Sequence, residues 1–189
     1  MGNPLARPPL QLPAMLRALR DHEVDWVLSG SMVMAVYGAD VTPNDLDVVP
    51  SPDPANLRRL AALLKDLEAT PAHDPSWKKG LSLQQCRDWS PEPPTLERFD
   101  HLFVTRLGML DVPPTLTGTY AELRSGAARL ELAGVPVWVC APEEVLRRIP
   151  DPPRAKDLER AGTYAEVRER LTASGQVRPA ASPKRGNLW

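Results

Sequence analysis

Residues 24–49 read VDWVLSGSMVMAVYGADVTPNDLDVV, and this stretch decides the fold. Val24–Leu28 is a short apolar run of strand length, and it ends in the turn Ser29-Gly30-Ser31. The apolar residues of Met32–Tyr37 predict a helix directly after the turn. Acidic and apolar residues then alternate over Asp45–Val49, as in a strand with one polar face. The stretch therefore predicts a strand, a tight glycine turn, a helix and a second strand.

The second predicted strand carries two carboxylates side by side. Residues two apart on a strand point to the same face, about 7 Å apart, so Asp45 and Asp47 share one face while Leu46 and Val48 occupy the other. Two like charges held together are unfavourable unless a cation lies between them. Mg²⁺ takes oxygen ligands and commonly bridges carboxylates to substrate phosphates. We therefore expect Asp45 and Asp47 to bind a divalent metal.

The glycine turn supplies the complementary part of such a site. Gly30 allows the backbone to approach a ligand closely, and the start of the following helix presents N–H groups and a positive dipole end to phosphate. The Ser31 hydroxyl adds one further donor. Gly30 and Ser31 are therefore predicted to bind the phosphates of a nucleotide.

A third acidic candidate lies further along the chain. Asp111 falls near the end of the apolar run Gly108–Val112, where an acidic residue is otherwise out of place. A strand beside Asp45–Val49 would bring Asp111 to the same sheet edge, either as a further metal ligand or as the base that deprotonates an attacking hydroxyl. Asp100 is the weaker alternative for this position.

The last predicted helix, Arg154–Leu171, opens with a basic and an acidic residue. Lys156 in its first turn is expected to reach substrate phosphates as a point charge, and Asp157 is expected to orient Lys156. The arginines of this region are interpreted as a solvated helix face in preference to an RNA site; they are Arg147, Arg148, Arg154 and Arg160.

The rest of the chain alternates helix and strand signals, which predicts one α/β (α+β) domain with a small mixed sheet flanked by helices and a helical C-terminal portion. Further helices are predicted over Leu10–His22, Pro54–Glu68, Thr119–Ser125 and Pro142–Ile149, and further strands over His101–Thr105, Gly108–Val112, Ala128–Leu132 and Val135–Cys140. Thr70–Pro94 is expected to form a folded excursion or a short strand at Leu81–Gln85. We expect the domain to span residues 1–173, with a sheet-containing core at about 10–140 and a helical part at 141–173, followed by a flexible tail at 174–189.

Length and composition exclude several classes of protein. A chain of 189 residues is long enough for one such domain and short for two. Its 23 Lys and Arg against 24 Asp and Glu give a net charge of −1, which argues against a basic coat for nucleic acid. Cys86 and Cys140 lie far apart and the chain has three histidines, so a zinc site or a disulfide scaffold is not expected. No apolar run is long enough to cross a bilayer, so we expect a cytoplasmic protein with no membrane partner.

Together, the apolar-Gly-Ser turn, the short helix and the Asp-apolar-Asp-apolar strand resemble the signature of the nucleotidyltransferase-fold, or polymerase-β-like, superfamily. The downstream order is similar to that of small bacterial members of the AbiEii toxin type; it comprises Asp111, the strand Val135–Cys140 followed by Pro142–Leu146, and the run Arg154–Leu158. The resemblance covers about Val24–Leu171.

This resemblance implies a metal-dependent enzyme that transfers a nucleoside monophosphate from an NTP to a hydroxyl or phosphate acceptor, with Mg²⁺ or Mn²⁺ as cofactor. By position, Gly30 and Ser31 match the phosphate-binding turn, Asp45 and Asp47 the metal pair, Asp111 the third acid, and Lys156 with Asp157 the late basic–acidic motif. The acceptor is a tRNA, a protein or a small molecule, and a toxin-type protein would have an antitoxin partner. Two alternatives stay open: a non-catalytic module of the same fold that binds a nucleotide or a partner, and a small-molecule (antibiotic-type) adenylyltransferase.

Overall fold

The computed structural model describes residues 2–77, 80–113 and 118–174, which form a mixed sheet flanked by helices. The strands are β1 (Trp26–Ser29), β2 (Asp45–Pro50), β3 (Thr70–Pro71), β4 (His101–Thr105), β5 (Gly108–Val112), β6 (Ala128–Leu132) and β7 (Val135–Val139). The helices are α1 (Leu12–Asp21), α2 (Gly30–Val36), α3 (Pro54–Asp66), α4 (Leu83–Arg87), α5 (Leu96–Phe99), α6 (Tyr120–Ser125), α7 (Pro142–Arg147), α8 (Ala155–Glu159) and α9 (Ala161–Ser174).

The strand order of the sheet is β3-β4-β5-β2-β1-β7-β6. Strand β2 runs parallel to β5 and antiparallel to β1, and the register places Asp47 opposite Ser29 on one side and Asp111 on the other. The three strands that carry the predicted site residues are therefore direct neighbours in the middle of the sheet.

The alternation in β2 is fixed by burial. Leu46 and Val48 are fully buried in the core, and the intervening Asp45 and Asp47 are half-buried on the opposite face. A slip of one residue would exchange the two faces and place carboxylates in the apolar core, so the hydrophobic pattern itself holds this register.

Two amphipathic helices contribute much of the core that supports the sheet. The buried side chains of α1 recur at helical spacing, and so do those of α3; they are Leu12, Met15, Leu16 and Leu19 in α1, and Leu57, Leu60, Leu63 and Leu64 in α3. Each helix thereby presents one apolar stripe to the core, as the sequence pattern predicts.

One buried polar side chain ties α3 to the strands β1 and β2. The Asn56 amide accepts a hydrogen bond of 2.7 Å from the Asp25 backbone N–H and donates bonds of 2.8 and 2.9 Å to the carbonyl oxygens of Asp25 and Ser51. Asp25 precedes β1 and Ser51 follows β2, so this amide links the two chain segments at the end of the β1–β2 pair far from the glycine turn. The link supports the register that sets Asp47 against Ser29.

The α/β class with a mixed sheet, flanking helices and a helical C-terminal portion is confirmed, but two local predictions are wrong. The strand predicted at Leu81–Gln85 is instead helix α4, because Ser82 and Gln85 form a capping box that starts a helix. The helix predicted at Arg154–Leu171 is two helices, α8 and α9, separated at Arg160 near Gly162, a residue type that disfavours helix.

The tail predicted at 174–189 lies outside the described residues from 175 onward, and Ser174 ends α9. No helix within the described part of the chain has both the length and the apolar character that a membrane span requires.

We predict that Asn56→Ala lowers the free energy of unfolding by about 2–3 kcal/mol, because it removes three hydrogen bonds to the backbone and takes away the partners of the Asp25 N–H and the Ser51 carbonyl oxygen; the Asp25 carbonyl oxygen keeps its bond from the Ser51 N–H. Chemical denaturation measures this loss. The control is Gln84→Ala, an exposed amide that donates to Asp88, which should change stability by less than about 0.5 kcal/mol. Equal stability of the two variants would contradict the role assigned to Asn56.

Candidate active site

The glycine turn lies directly against one of the two strand carboxylates. Gly30 starts α2 with φ +68°, and a methyl group at its Cα would overlap the Asp47 carboxylate. Glycine is required here on both counts, because other residues rarely adopt this φ and no other side chain fits the contact. The backbone that joins β1 to α2 therefore passes directly over the Asp47 side chain, and the first turn of α2 begins beside its carboxylate.

The acids of β2 and β5 influence one another strongly. Burial, followed by the negative charges of Asp45 and Asp111, raises the pKa of Asp47 well above its usual range. Burial and the charge of Asp45 likewise raise the pKa of Asp111 to about 7. The positive charge of Lys156 opposes the rise at both carboxyls. The repulsion among Asp45, Asp47 and Asp111 is therefore only partly offset by the positive charge nearby.

A single cavity of about 560 Å³ brings the predicted residues together. It is lined by all seven of them: Gly30, Ser31, Asp45, Asp47, Asp111, Lys156 and Asp157. Asp100, the weaker candidate, is not part of this lining, although its negative charge contributes to the raised pKa of Asp111. The volume lies within the range of about 300–1,000 Å³ that is typical of small-molecule and cofactor sites.

The C-terminal part of the chain adds a basic wall to this cavity. Arg148, Arg154, Lys156 and Arg160 all line it, and Arg154 is also exposed to solvent, so three of the four arginines interpreted as a solvated face border the cavity. Arg147 is absent from the lining and pairs with Glu144. Sequence spacing could not separate the two groups, because the orientation of this region relative to the sheet decides which arginines face inward.

Asp157 has a different partner from the one that the sequence predicts. Its carboxylate accepts hydrogen bonds of 2.7 and 3.0 Å from the Arg154 guanidinium and one of 3.1 Å from the Arg154 backbone N–H. These bonds lower the pKa of Asp157, which is 6% exposed. Asp157 therefore positions Arg154 at the cavity wall, and the expectation that it orients Lys156 is wrong.

One further wall of the cavity is apolar and includes an aromatic side chain. It is formed by Val145, Ile149, Pro150, Pro152 and Tyr164. In the sequence the prolines indicate only a helix break and Tyr164 only a packing residue. Their place in the cavity depends on how the C-terminal helices pack against the sheet, which short-range sequence patterns do not show.

The acid set offers oxygen donors alone, which is the chemistry that Mg²⁺ requires. Among the residues that the structure describes, no group of three or more His, Cys, Asp or Glu forms a site that could hold a metal ion. Mg²⁺ usually binds through one or two carboxylates and completes its shell with water and substrate phosphates. The neighbouring Asp45, Asp47 and Asp111 fit that kind of shared site and do not form an all-protein cage.

The raised pKa values lead to a prediction about stability. A carboxyl whose pKa is raised by folding contributes full stability below its ordinary pKa and loses that contribution as the pH rises through its folded pKa, about 7 for Asp111. We expect Asp47→Asn and Asp111→Asn to be more stable than the metal-free parent at pH 8 by about 1 kcal/mol, as is common when a strained functional site is relieved. At pH 4 the gain should vanish, since the parent carboxyls are then protonated.

Thermal unfolding at pH 4 and pH 8 in the presence of a chelator measures this effect. Asp88→Asn, at an exposed position outside the cavity, is the matched control and should shift the Tm equally at both pH values. If neither site variant has a higher Tm than the parent at pH 8, the carboxyls do not destabilise the fold by mutual repulsion.

Comparison with known proteins gives little beyond this geometry. No protein-family model matches the chain, and no curated protein matches it either. Among solved structures, the chain is similar to the antibiotic-resistance factor ANT(2'')-Ia, with 17% identity, a TM-score of 0.49, and coverage of 87% of this chain and 89% of that one.

Proposed function

We propose that this protein is a metal-dependent nucleotidyltransferase that moves a nucleoside monophosphate from an NTP to an acceptor. The observation that supports the proposal is the lining of one cavity, in which three carboxylates from neighbouring strands share the space with four basic side chains. A triphosphate with its divalent cation carries both of the charges that such a lining can bind.

The basic wall is suited to the triphosphate. Arg148 already pairs with Glu144 and Glu122, and Arg154 with Asp157, so each of these arginines presents its remaining donors to the cavity, where Arg160 and the compact positive charge of Lys156 add to them. Asp157 holds the Arg154 guanidinium in place before any ligand enters, which reduces the entropy lost on binding. The first turn of α2, with Gly30 and Ser31, adds backbone N–H groups and a hydroxyl at the same cavity.

The acids are suited to the cation that accompanies the triphosphate. Asp45 and Asp47 would hold Mg²⁺, or Mn²⁺ in its place, and Asp111 on the adjacent strand would serve as a further ligand. When bound, such an ion neutralises phosphate charge and aligns the attacking and leaving oxygens.

The transfer step itself needs few protein groups. The acceptor hydroxyl gives its proton to a carboxylate of the acid set, and its oxygen forms a bond to the α-phosphorus. The bond from that phosphorus to the bridging oxygen breaks, and pyrophosphate leaves with the electron pair. Phosphoryl-type transfer depends mainly on positioning and charge stabilisation, and the cavity provides groups for both.

The toxin-type role, the tRNA or protein acceptor and the antitoxin partner rest on the sequence resemblance alone and stay predictions. The alternative of a non-catalytic module differs in a measurable way, because such a module would bind MgNTP without transferring the nucleotide.

We expect Asp47→Asn and Asp45→Asn to reduce NMP transfer by roughly 10²–10³-fold or more, as the loss of a group that stabilises transition-state charge does. The assay combines each α-labelled NTP and Mg²⁺ with a cell extract as the source of acceptors, and it follows label incorporation and pyrophosphate release. Asp88→Asn should keep parental activity. Undiminished turnover in a folded Asp47→Asn variant would refute the metal assignment, and binding of MgNTP by the parent without transfer would favour the non-catalytic module.

We also expect Lys156→Ala to weaken MgNTP binding by roughly 10–100-fold, since a hydrogen bond to a charged group contributes about 1.5–3 kcal/mol. The Lys156 residue is exposed, so its truncation should leave the core intact. Calorimetric titration with each MgNTP measures the effect. Arg147→Ala, which removes a neighbouring positive charge outside the cavity, should bind nearly as the parent does. Equal weakening in both variants would mean that only the overall charge of the region matters.

A further inference from the structure

A second cavity, of about 780 Å³, adjoins the one just described. Asn44 and Asp45 line both cavities, so one of the proposed metal-binding carboxylates belongs to both. A molecule in the second cavity would therefore lie beside the acid set without occupying the basic wall.

One wall of the second cavity is the N-terminal segment of residues 7–13, and this segment is fixed to the sheet. The Gln11 backbone N–H donates a bond of 2.9 Å to the carbonyl oxygen of Leu107, and its side chain donates one of 3.3 Å to that of Arg106. Gly108 has φ +113°, and a Cβ there would clash with the backbone of Leu10. The wall is therefore tightly packed on the turn between β4 and β5.

The lining of the second cavity is mostly apolar. Besides proline and leucine side chains of the N-terminal segment, it includes Met32 from α2, Leu102 from β4 and Met109 from β5. Burial of an apolar ligand against such side chains is favourable, and most small-molecule sites have this character.

The charges of the two cavities differ. Arg7 and Asp45 are the charged residues in the lining of the second cavity, and the Arg7 guanidinium already donates hydrogen bonds to the carbonyl oxygens of Pro4, Ala6 and His73. The first cavity has four basic side chains. A nucleic-acid acceptor would bring phosphates beside Asp45 where the lining has no basic wall to neutralise them.

We propose that the second cavity is the acceptor subsite, and that it takes an uncharged, largely apolar small molecule that bears a hydroxyl group. This inference rests on the proposed function. The hydroxyl lies at Asp45, where the two cavities meet, so its proton passes to a carboxylate of the acid set as its oxygen bonds to the α-phosphorus. The bond to the bridging oxygen breaks, and pyrophosphate leaves with the electron pair on the side of the basic wall.

A matched pair of dyes tests the chemistry of the cavity. N-phenyl-1-naphthylamine and 1-anilinonaphthalene-8-sulfonate share one ring framework and differ by the sulfonate. With MgNTP added to fill the first cavity and its basic wall, we expect the uncharged dye to bind the full-length protein at least about tenfold more tightly than the sulfonate, with enhanced fluorescence. Equal or tighter binding of the sulfonate would overturn the proposed ligand class.

Cavity-filling variants locate the dye. Thr42 lines the cavity and is exposed, so Thr42→Trp should fill part of the space without disturbing the core, and Leu102→Trp fills it from the sheet side. Both should weaken binding of the uncharged dye by at least about tenfold. Leu5→Trp introduces the same ring at a position that is 51% exposed and outside the lining, and it should leave dye binding unchanged. Unchanged dye binding in both filled variants would overturn the location.

Two further readouts separate this inference from the proposed function. Calorimetric binding of MgNTP in the first cavity should persist in Thr42→Trp, because Thr42 does not line that cavity. In the labelled-extract assay, the label should enter a new low-molecular-weight compound that stays soluble in acid and is separated from the NTP by chromatography, and label in acid-precipitated RNA or protein would overturn the small-molecule acceptor. Absence of any transfer would contradict the proposed function, whereas the dye results would still decide what the second cavity binds.

Discussion

Asp47 lies between Ser29 on one neighbouring strand and Asp111 on the other, with the backbone of Gly30 against its carboxylate. The apolar residues of β2 set this position. Because Leu46 and Val48 must be buried in the core, the alternating acidic residues lie on the opposite face of the strand. The result is a local conflict, because carboxyl groups that are largely withdrawn from water repel one another. Positive charge beside these carboxyls reduces their mutual repulsion. The basic side chains near α7, α8 and α9 supply part of that charge.

Much of the sheet could be predicted from the sequence, because the information is local. Alternation in Asp45–Val49, the Ser-Gly-Ser turn and the apolar stripes of α1 and α3 each depend on a few neighbouring residues, and the structure has these elements. The pairing of β2 with β5, which brings Asp111 to Asp47, depends on the strand order of the sheet. The alternation of helix and strand signals predicts a mixed sheet but does not specify that order. The local failure at α4 has a local cause as well, since the capping box of Ser82 and Gln85 is visible in the sequence and decides the structure there.

The residues that sequence reasoning missed share a different property. Arg148, Arg160 and Tyr164 reach the cavity because of the way the C-terminal helices lie against the sheet, which no short-range pattern encodes. The pairing of Asp157 with Arg154 was missed for another reason: two charged residues at this spacing are common on solvated helices, and only burial distinguishes the structural pair. The packing of the N-terminal segment of residues 7–13 is likewise absent from any short-range pattern, because Gly108 and Gln11 fix it to the turn between β4 and β5, which lies about a hundred residues away in the chain.

The shared position of Asp45 has a thermodynamic consequence. Whatever occupies one cavity changes the electrostatic surroundings of the other through this carboxylate, so the affinities of the two sites for their ligands are coupled. Such coupling is reciprocal by linkage. If a nucleotide with its cation in the first cavity strengthens ligand binding in the second cavity, that ligand must strengthen nucleotide binding by the same factor. Coupling of that sign would favour the state in which both cavities are full over the states in which one cavity alone is occupied.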